Sequence, residues 1–142
     1  MRVRDPRRSR YADRGICLRT ENPAAARGKA PHRGCQLPAG FPLASEAALE
    51  EAAGALAALD KPGTVFFIDG LAYGALPASA LQSLKGPIVA LVHHPLGVEE
   101  GLSPCEKPHL LKTEEEALAL AEHIVAPSHG TSRELTRLFG VA

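Results

Sequence analysis

The stretch Thr64-Val-Phe-Phe-Ile-Asp-Gly70, with Gly86-Pro-Ile-Val-Ala-Leu-Val-His-His-Pro95 after it, decides the fold of this chain. Its two runs of β-branched and aromatic residues, 64–68 and 88–92, are nearly continuous in apolar side chains, which is typical of strands covered on both faces. The link between them has the length of a short helix with its loops, as a crossover between parallel strands requires. The stretch therefore predicts a β-α-β unit.

Each of these predicted strands ends in polar residues. The first is followed by Asp69 and Gly70, and the second by His93 and His94. Ligands of open α/β sheets bind outside the carboxyl ends of the parallel strands, which meet at one edge of the sheet. We therefore expect the chemistry of this protein at these four residues.

The rest of the chain predicts a third strand and further helices. Strands are expected at 64–69, 87–93 and 123–127, and Ser45 is placed to cap a helix before the first of them. The fold class predicted is α/β, a Rossmann-like parallel sheet with flanking helices.

Two capping boxes mark helices on either side of the third strand. Ser103 with Glu106 predicts the start of a helix that extends to about residue 122. Thr131 with Glu134 predicts the start of the last helix, which Gly140 ends.

Length and charge suggest one domain with a basic N-terminal segment. The 142 residues fit a single domain, and with 45% hydrophobic but only 4% aromatic residues the core must be largely aliphatic. The net charge of zero divides into +7 over residues 1–34 and −7 over residues 35–142. Residues 1–34 lack a periodic apolar face, so we predict a basic, disordered arm, followed by a Rossmann-like domain over residues 35–142.

The arm has a functional alternative, because a run of arginines can bind nucleic acid or anionic lipid. No aromatic residues alternate with the charges to stack on bases, so a nucleic-acid partner is not expected. The arginines concerned are Arg2, Arg4, Arg7, Arg8, Arg10 and Arg14.

Cysteine usage and hydropathy indicate the compartment. Cys17, Cys35 and Cys105 are odd in number and widely spaced, which argues against a disulfide framework and favours a reducing cytosol. No apolar run approaches the roughly 20 residues that span a bilayer, and no secretory signal core is present. We expect a cytoplasmic protein, with a peripheral position on the inner membrane surface as the alternative.

Three segments near the predicted strand ends form a pattern. They are Ile68-Asp-Gly-Leu-Ala-Tyr-Gly-Ala-Leu-Pro77, then Val92-His-His-Pro-Leu96 with Glu99-Glu-Gly-Leu-Ser103, and Val125-Ala-Pro-Ser128 before a capped helix. Together they resemble the N-terminal domain of glycosyltransferase family 4, over about residues 35–142.

The resemblance implies half of the GT-B architecture, in which two Rossmann-like domains face each other across a cleft. It implies transfer of a sugar from a nucleotide-sugar donor to a glycan, lipid or small-molecule acceptor, with retention of anomeric configuration and no further cofactor. The N-terminal domain of that family mainly shapes the acceptor side. The chain ends at Ala142, before any donor-binding domain, and residues 1–34 show no recognisable first strand, so we expect a truncated member that is inactive alone.

The catalytic residues expected are Asp69, His93 and His94. A histidine can hydrogen-bond a sugar hydroxyl or steady a phosphate, and a carboxylate can orient the acceptor hydroxyl or act as a base. The alternatives are a histidine bonded to a loop carbonyl and simple turn chemistry for Asp69 with Gly70.

The substrate-binding residues expected are Gly70, Glu99 and Ser128. Gly70 allows close backbone approach, Glu99 follows the histidines, and Ser128 precedes a helix whose first N–H groups can hold an anion. The alternatives are a solvated loop carboxylate for Glu99 and a turn or cap for Ser128 and Thr131.

Two other function classes stay open. One is a noncatalytic Rossmann-like domain for binding or interaction. The other is a metal-dependent hydrolase, since four residues offer N and S ligands for zinc, but their spacing matches no known finger pattern and we predict no metal site. Those four are His93, His94, Cys105 and His109, and a nucleophilic Cys105 has no identifiable partner.

Overall fold

The computed structural model describes residues 15–20 and 32–141 of the chain. The strands are β1 (Gly15–Thr20), β2 (His32–Gln36), β3 (Thr64–Asp69), β4 (Ile88–Leu91) and β5 (His123–Val125). The helices are α1 (Glu46–Leu59), α2 (Gly70–Tyr73), α3 (Ala78–Gln82), α4 (Glu106–Leu118) and α5 (His129–Phe139), with a short 3-10 turn at Leu96–Val98.

The five described strands form one mixed sheet in the order β2-β1-β3-β4-β5. Strands β3, β4 and β5 are parallel, and helices connect them. This confirms the predicted α/β class with a Rossmann-like parallel sheet, and all three predicted strands lie where the apolar runs placed them. The carboxyl ends of β3 and β4 meet at one edge, because Asp69 pairs in register with Leu91.

Two strands lie in the segment predicted to be disordered. Strand β1 runs antiparallel to β3, with Cys17 opposite Phe67, and β2 pairs antiparallel with β1. The prediction of disorder is therefore wrong for residues 15–20 and 32–34. An unpaired edge of β3 would leave backbone N–H and C=O groups without partners, and β1 satisfies them although its own sequence lacks a periodic face. The six N-terminal arginines lie outside the described residues.

The core packs helices against the sheet. Its largest fully buried side chains come from α1, β3, the α2–α3 region, the loop after β4, α4 and α5: Tyr73, Phe66, Leu56, Ile68, Leu76, Leu81, Leu96, Leu110 and Leu135 among them. Strand β4 is covered on both faces, as predicted. Strand β3 is not, because burial alternates along it and Phe67 is 38% exposed. An apolar run is therefore an unreliable guide to coverage of both faces.

Helix starts follow the capping chemistry in two of three cases. Ser45 accepts the Ala48 N–H at 3.2 Å, which confirms the first cap. At α4 the Glu106 N–H donates to Ser103 Oγ at 3.2 Å and the Ser103 N–H donates to Glu106 Oε2 at 2.7 Å, so both hydrogen bonds of the predicted capping box are formed. The helix itself begins at Glu106 with Cys105 as its N-cap, two residues later than the box predicts. Helix α4 ends at Leu118, before residue 122, because the Glu122 N–H already pairs with the Ile88 carbonyl in the sheet.

The predicted second capping box is wrong. Helix α5 begins at His129, and Ser128 is its N-cap, with its side chain accepting the Thr131 N–H at 3.1 Å. Ser128 has the extended backbone of a cap residue, whereas Thr131 is already helical. Gly140 ends the helix with a positive φ of 67°, as predicted.

Candidate functional site

Asp69 and His93 face each other at the carboxyl ends of β3 and β4. The Leu71 N–H donates to Asp69 Oδ1 at 3.0 Å, so Asp69 caps α2. Its other oxygen, Oδ2, lies 3.7 Å from His93 Nε2, beyond hydrogen-bond length but close enough for an ion pair when the ring is protonated. The Asp69 side chain is 13% exposed and that of His93 is 42% exposed. Asp69 thus combines the turn chemistry with a position beside a histidine.

His94 pairs with Glu99 across a short turn. His94 Nε2 lies 2.6 Å from Glu99 Oε1, and both side chains are partly exposed. Between them the chain passes through Pro95 and the 3-10 turn, whose backbone hydrogen bonds return Glu99 to within reach of His94. We call residues 93–99 the histidine loop. Its two histidines each face a carboxylate.

Gly70 allows the two strand ends to approach. A Cβ at this position would lie 3.0 Å from both the Leu91 carbonyl oxygen and Val92 Cα. A side chain would therefore push the end of β3 from the end of β4. The close contact that the structure describes at Gly70 is with the backbone of β4. Binding of a ligand at Gly70 stays a prediction.

The start of α5 is tied to the histidine loop. Thr131 Oγ1 donates to the His93 carbonyl oxygen at 2.8 Å and lies 2.9 Å from Ser128 Oγ. Thr131 is buried in the described structure. Ser128 therefore acts as a cap, and the Thr131 hydroxyl links its side chain to the His93 backbone. Ser128 also lines an open groove of about 460 Å³ along β5 and α5.

Sequence reasoning missed Glu114, the one buried carboxylate among the described residues. This side chain of α4 is 1% exposed, and its Oε2 accepts the Leu96 N–H at 2.7 Å. Its Oε1 is buried and accepts no hydrogen bond from the described chain. Burial raises the pKa of Glu114 from 4.5 to about 7, while the Leu96 hydrogen bond lowers it in part.

A sequence signal for Glu114 did exist. Leu110 lies four residues before it and Leu118 four residues after it, and both are buried. Side chains at this spacing share one face of a helix, so the apolar face of α4 includes position 114. The run of three glutamates at 114–116 hid this, because a charge run normally indicates a solvated face.

The residues considered for a metal do not converge. Cys105 is exposed immediately before α4, and His109 is exposed in its first turn. Within residues 15–20 and 32–141, no three His, Cys, Asp or Glu residues are grouped closely enough to hold an ion. The same ranges contain no helix that is both long and apolar enough to cross a bilayer.

Comparisons of the chain with family models, with curated proteins and with solved structures found no match. The glycosyltransferase resemblance therefore rests on the quoted motifs.

The two histidine–carboxylate pairs set what the site can do chemically. When one ring nitrogen of a neutral histidine donates to a carboxylate, the other ring nitrogen is an acceptor. His94 Nε2 lies within hydrogen-bond distance of Glu99 Oε1, and His93 Nε2 lies 3.7 Å from Asp69 Oδ2. Such a ring can accept a hydrogen bond or a proton from a substrate hydroxyl. In its protonated form it can stabilise a phosphate oxygen.

Proposed function

We propose that this chain is the acceptor-side domain of a retaining glycosyltransferase of GT-B architecture. The observation that carries the proposal is the pair of histidine–carboxylate contacts, His93 with Asp69 and His94 with Glu99, at the carboxyl edge of parallel strands. This edge is where α/β folds bind ligands. The motifs that resemble family 4 contain these same four residues.

In the proposed reaction the histidine loop recognises the acceptor. His94, oriented by Glu99, accepts a hydrogen bond from an acceptor hydroxyl, and Asp69 with His93 orients a second polar group. Ser128 lines the neighbouring groove, and Gly70 lets the ends of β3 and β4 approach closely. The donor is a nucleotide-sugar held by a second Rossmann-like domain, and transfer needs both substrates held together. We place the enzyme in the cytoplasm.

The first experiment measures acceptor binding by the 142-residue chain. The isotopically labelled protein is titrated with hexoses, disaccharides and glycerol phosphates, and ring and amide signals are followed by NMR. Saturable shifts at His93, His94 and Glu99 support the proposal, and His94→Ala should weaken binding at least tenfold. His123→Ala is the control, because His123 begins β5 at the opposite edge of the sheet. Shifts confined to other surfaces would contradict the acceptor assignment.

The second experiment measures transfer by a longer product. If the DNA downstream encodes a second Rossmann-like domain, the two-domain protein is assayed with a panel of nucleotide-sugars. Sugar transfer that falls at least 100-fold in His94→Ala supports the proposal. Acceptor binding without any transfer would favour the noncatalytic binding domain. Hydrolysis dependent on stoichiometric zinc would favour the metal-dependent hydrolase.

A further inference from the structure

Glu114 lies beneath the histidine loop and contacts its backbone. Its Oε2 accepts the N–H of Leu96, the first residue of the 3-10 turn that separates His94 from Glu99. At 2.7 Å this is a short hydrogen bond, which is typical of a charged acceptor. Both Glu114 and Leu96 are 1% exposed, so water does not compete for the contact.

The turn is held tightly on both sides of this hydrogen bond. A Cβ on Gly97 would lie 2.2 Å from Leu111 Cγ, so α4 packs directly against the turn. A Cβ on Gly74 would lie 2.9 Å from Leu96 Cδ1 and 3.0 Å from Glu114 Cγ, so the end of α2 closes the other side. There is no room here for the turn to shift while the Leu96 N–H stays bonded.

We propose that Glu114 is a positioning residue for the histidine loop: its buried carboxyl holds the Leu96 N–H and thereby sets where His94 and Glu99 stand. The carboxyl acts through the backbone and touches no reacting group. The placement of the loop rests on geometry alone, whereas its importance for acceptor binding rests on the proposed function.

The strength of the hydrogen bond from the Leu96 N–H depends on the charge of Glu114. A carboxylate accepts a stronger hydrogen bond than a carboxylic acid, and burial gives Glu114 a pKa of about 7, so both forms are populated near neutral pH. Gly74 and Leu96, which face it from neighbouring elements, do not titrate. Tyr73 donates to the Ala117 carbonyl on α4, and burial raises its pKa so that it stays neutral.

The remaining charges near Glu114 lie on its own helix and in the loop. Glu115 and Glu116 are exposed, and Glu116 lies 3.9 Å from Lys112 in a surface ion pair. His94 and Glu99 are the ionisable groups on the far side of the turn. Substituting these residues one at a time distinguishes a pH-dependent change of the Leu96 amide shift that comes from Glu114 from one that comes from a neighbouring charge.

The test follows the Leu96 amide by NMR in the 142-residue chain between pH 5 and 9. In the wild type we expect its proton shift to change with a midpoint near 7, and Glu114→Gln should remove this midpoint while leaving the amide protected from exchange. Glu115→Gln is the matched control and should change neither. Glu114→Leu should lower exchange protection of the Leu96 amide at least tenfold. A wild-type amide shift that is flat across this range, or unchanged protection in folded Glu114→Leu, overturns the proposal.

A double-mutant cycle tests whether the hydrogen bond between Glu114 and Leu96 is coupled to the contact between His94 and Glu99. Glu99→Gln should lower the folding equilibrium constant about threefold in the wild type, a normal value for a partly exposed pair, and clearly less in Glu114→Leu. Strict additivity would contradict the proposal. If Glu114→Leu fails to fold, the pH titration of the Leu96 amide in the wild type and in Glu114→Gln decides. No sugar transfer is measured, so failure here is distinct from failure of the proposed function.

Discussion

Two glutamates on helix α4 accept a backbone N–H at the same distance, but their pKa values are shifted in opposite directions. Glu106 in the first turn accepts the Ser103 N–H at 2.7 Å, and Glu114 two turns later accepts the Leu96 N–H at 2.7 Å. The hydrogen bonds from Ser103, first its backbone and then its side chain, lower the pKa of Glu106. Burial raises the pKa of Glu114 to about 7.

The two pKa shifts differ in direction because the two carboxylates differ in their contact with water. Glu106 remains in contact with solvent, which stabilises its charge, so the added N–H donors favour the carboxylate further. Glu114 has lost that solvent, and one N–H does not replace it while Oε1 has no donor from the described chain. The hydrogen bond at Glu106 therefore caps a helix at the surface. The hydrogen bond at Glu114 has the same length but holds a loop in the core, where burial of the charge is unfavourable.

The largest expected effect is the loss of the buried carboxyl. Glu114→Ala removes a buried side chain and leaves the Leu96 N–H without its acceptor, so the free energy of unfolding at pH 5 should fall by about 3 to 5 kcal/mol. Urea denaturation measures this. Glu115→Ala, at the exposed neighbouring position, should stay within about 0.5 kcal/mol of the wild type. A loss of less than about 1 kcal/mol for Glu114→Ala would mean that the contact contributes little.

The pH dependence of stability should separate the two glutamates. Because the pKa of Glu114 is raised on folding, its contribution is present in full below 4.5 and is lost once the pH has risen past about 7. Over that window the free energy of unfolding of the wild type should fall by about 3 kcal/mol relative to Glu114→Gln. Denaturation of both proteins at pH 4.5, 6 and 8 measures the difference. A constant difference would show that Glu114 titrates normally.

A glycine substitution tests how closely the buried region is packed. Gly74→Ala places a methyl group within 3.0 Å of Leu96 and Glu114, so we expect the free energy of unfolding to fall by about 1 to 3 kcal/mol. The control is Gly54→Ala in α1, where no atom lies within 4 Å of the added Cβ. That change should stabilise by about 0.5 to 1 kcal/mol through helix propensity. Stabilisation by Gly74→Ala would contradict the packing described.

The smallest effect is expected at Glu106. Because its pKa is lowered on folding, its contribution is present above the ordinary value of 4.5 and is lost as the pH falls through the lowered pKa. Glu106→Gln should therefore reduce stability slightly at pH 7 and hardly at pH 3, the opposite trend to Glu114→Gln. Exchange of the Ser103 amide reports the same contact. An equal effect at both pH values would show that charge at the cap is unimportant.

Much of the fold was predictable from local sequence. The apolar runs located β3, β4 and β5, and the polar residues after them located the edge that carries the histidines. Caps at Ser45 and at Ser103 follow from side chains that bond their own neighbouring backbone, and the end of α5 follows from the positive φ that Gly140 adopts. Such signals are short in range, so a single sequence displays them.

The second capping box and the coverage of β3 were wrong for one reason. Thr131 has the spacing of a cap, but its hydroxyl bonds the His93 carbonyl of another element. Phe67 has the hydrophobicity of a core residue, but its face of β3 is not closed in the described structure. In both cases a side chain takes a partner, or lacks one, according to elements distant in sequence.

By itself the sequence determined the parallel β-α-β unit and the placement of Asp69, His93 and His94 at one edge, because hydrophobic runs and strand ends are local properties. Only the tertiary structure decided that β1 pairs with β3, that each histidine faces a carboxylate, and that Glu114 is buried beneath the histidine loop. Those outcomes depend on which backbone groups each side chain can reach, and on how much water still contacts it, once distant segments have packed together. A charge such as that of Glu114 takes its pKa from that packing, which no residue sets alone.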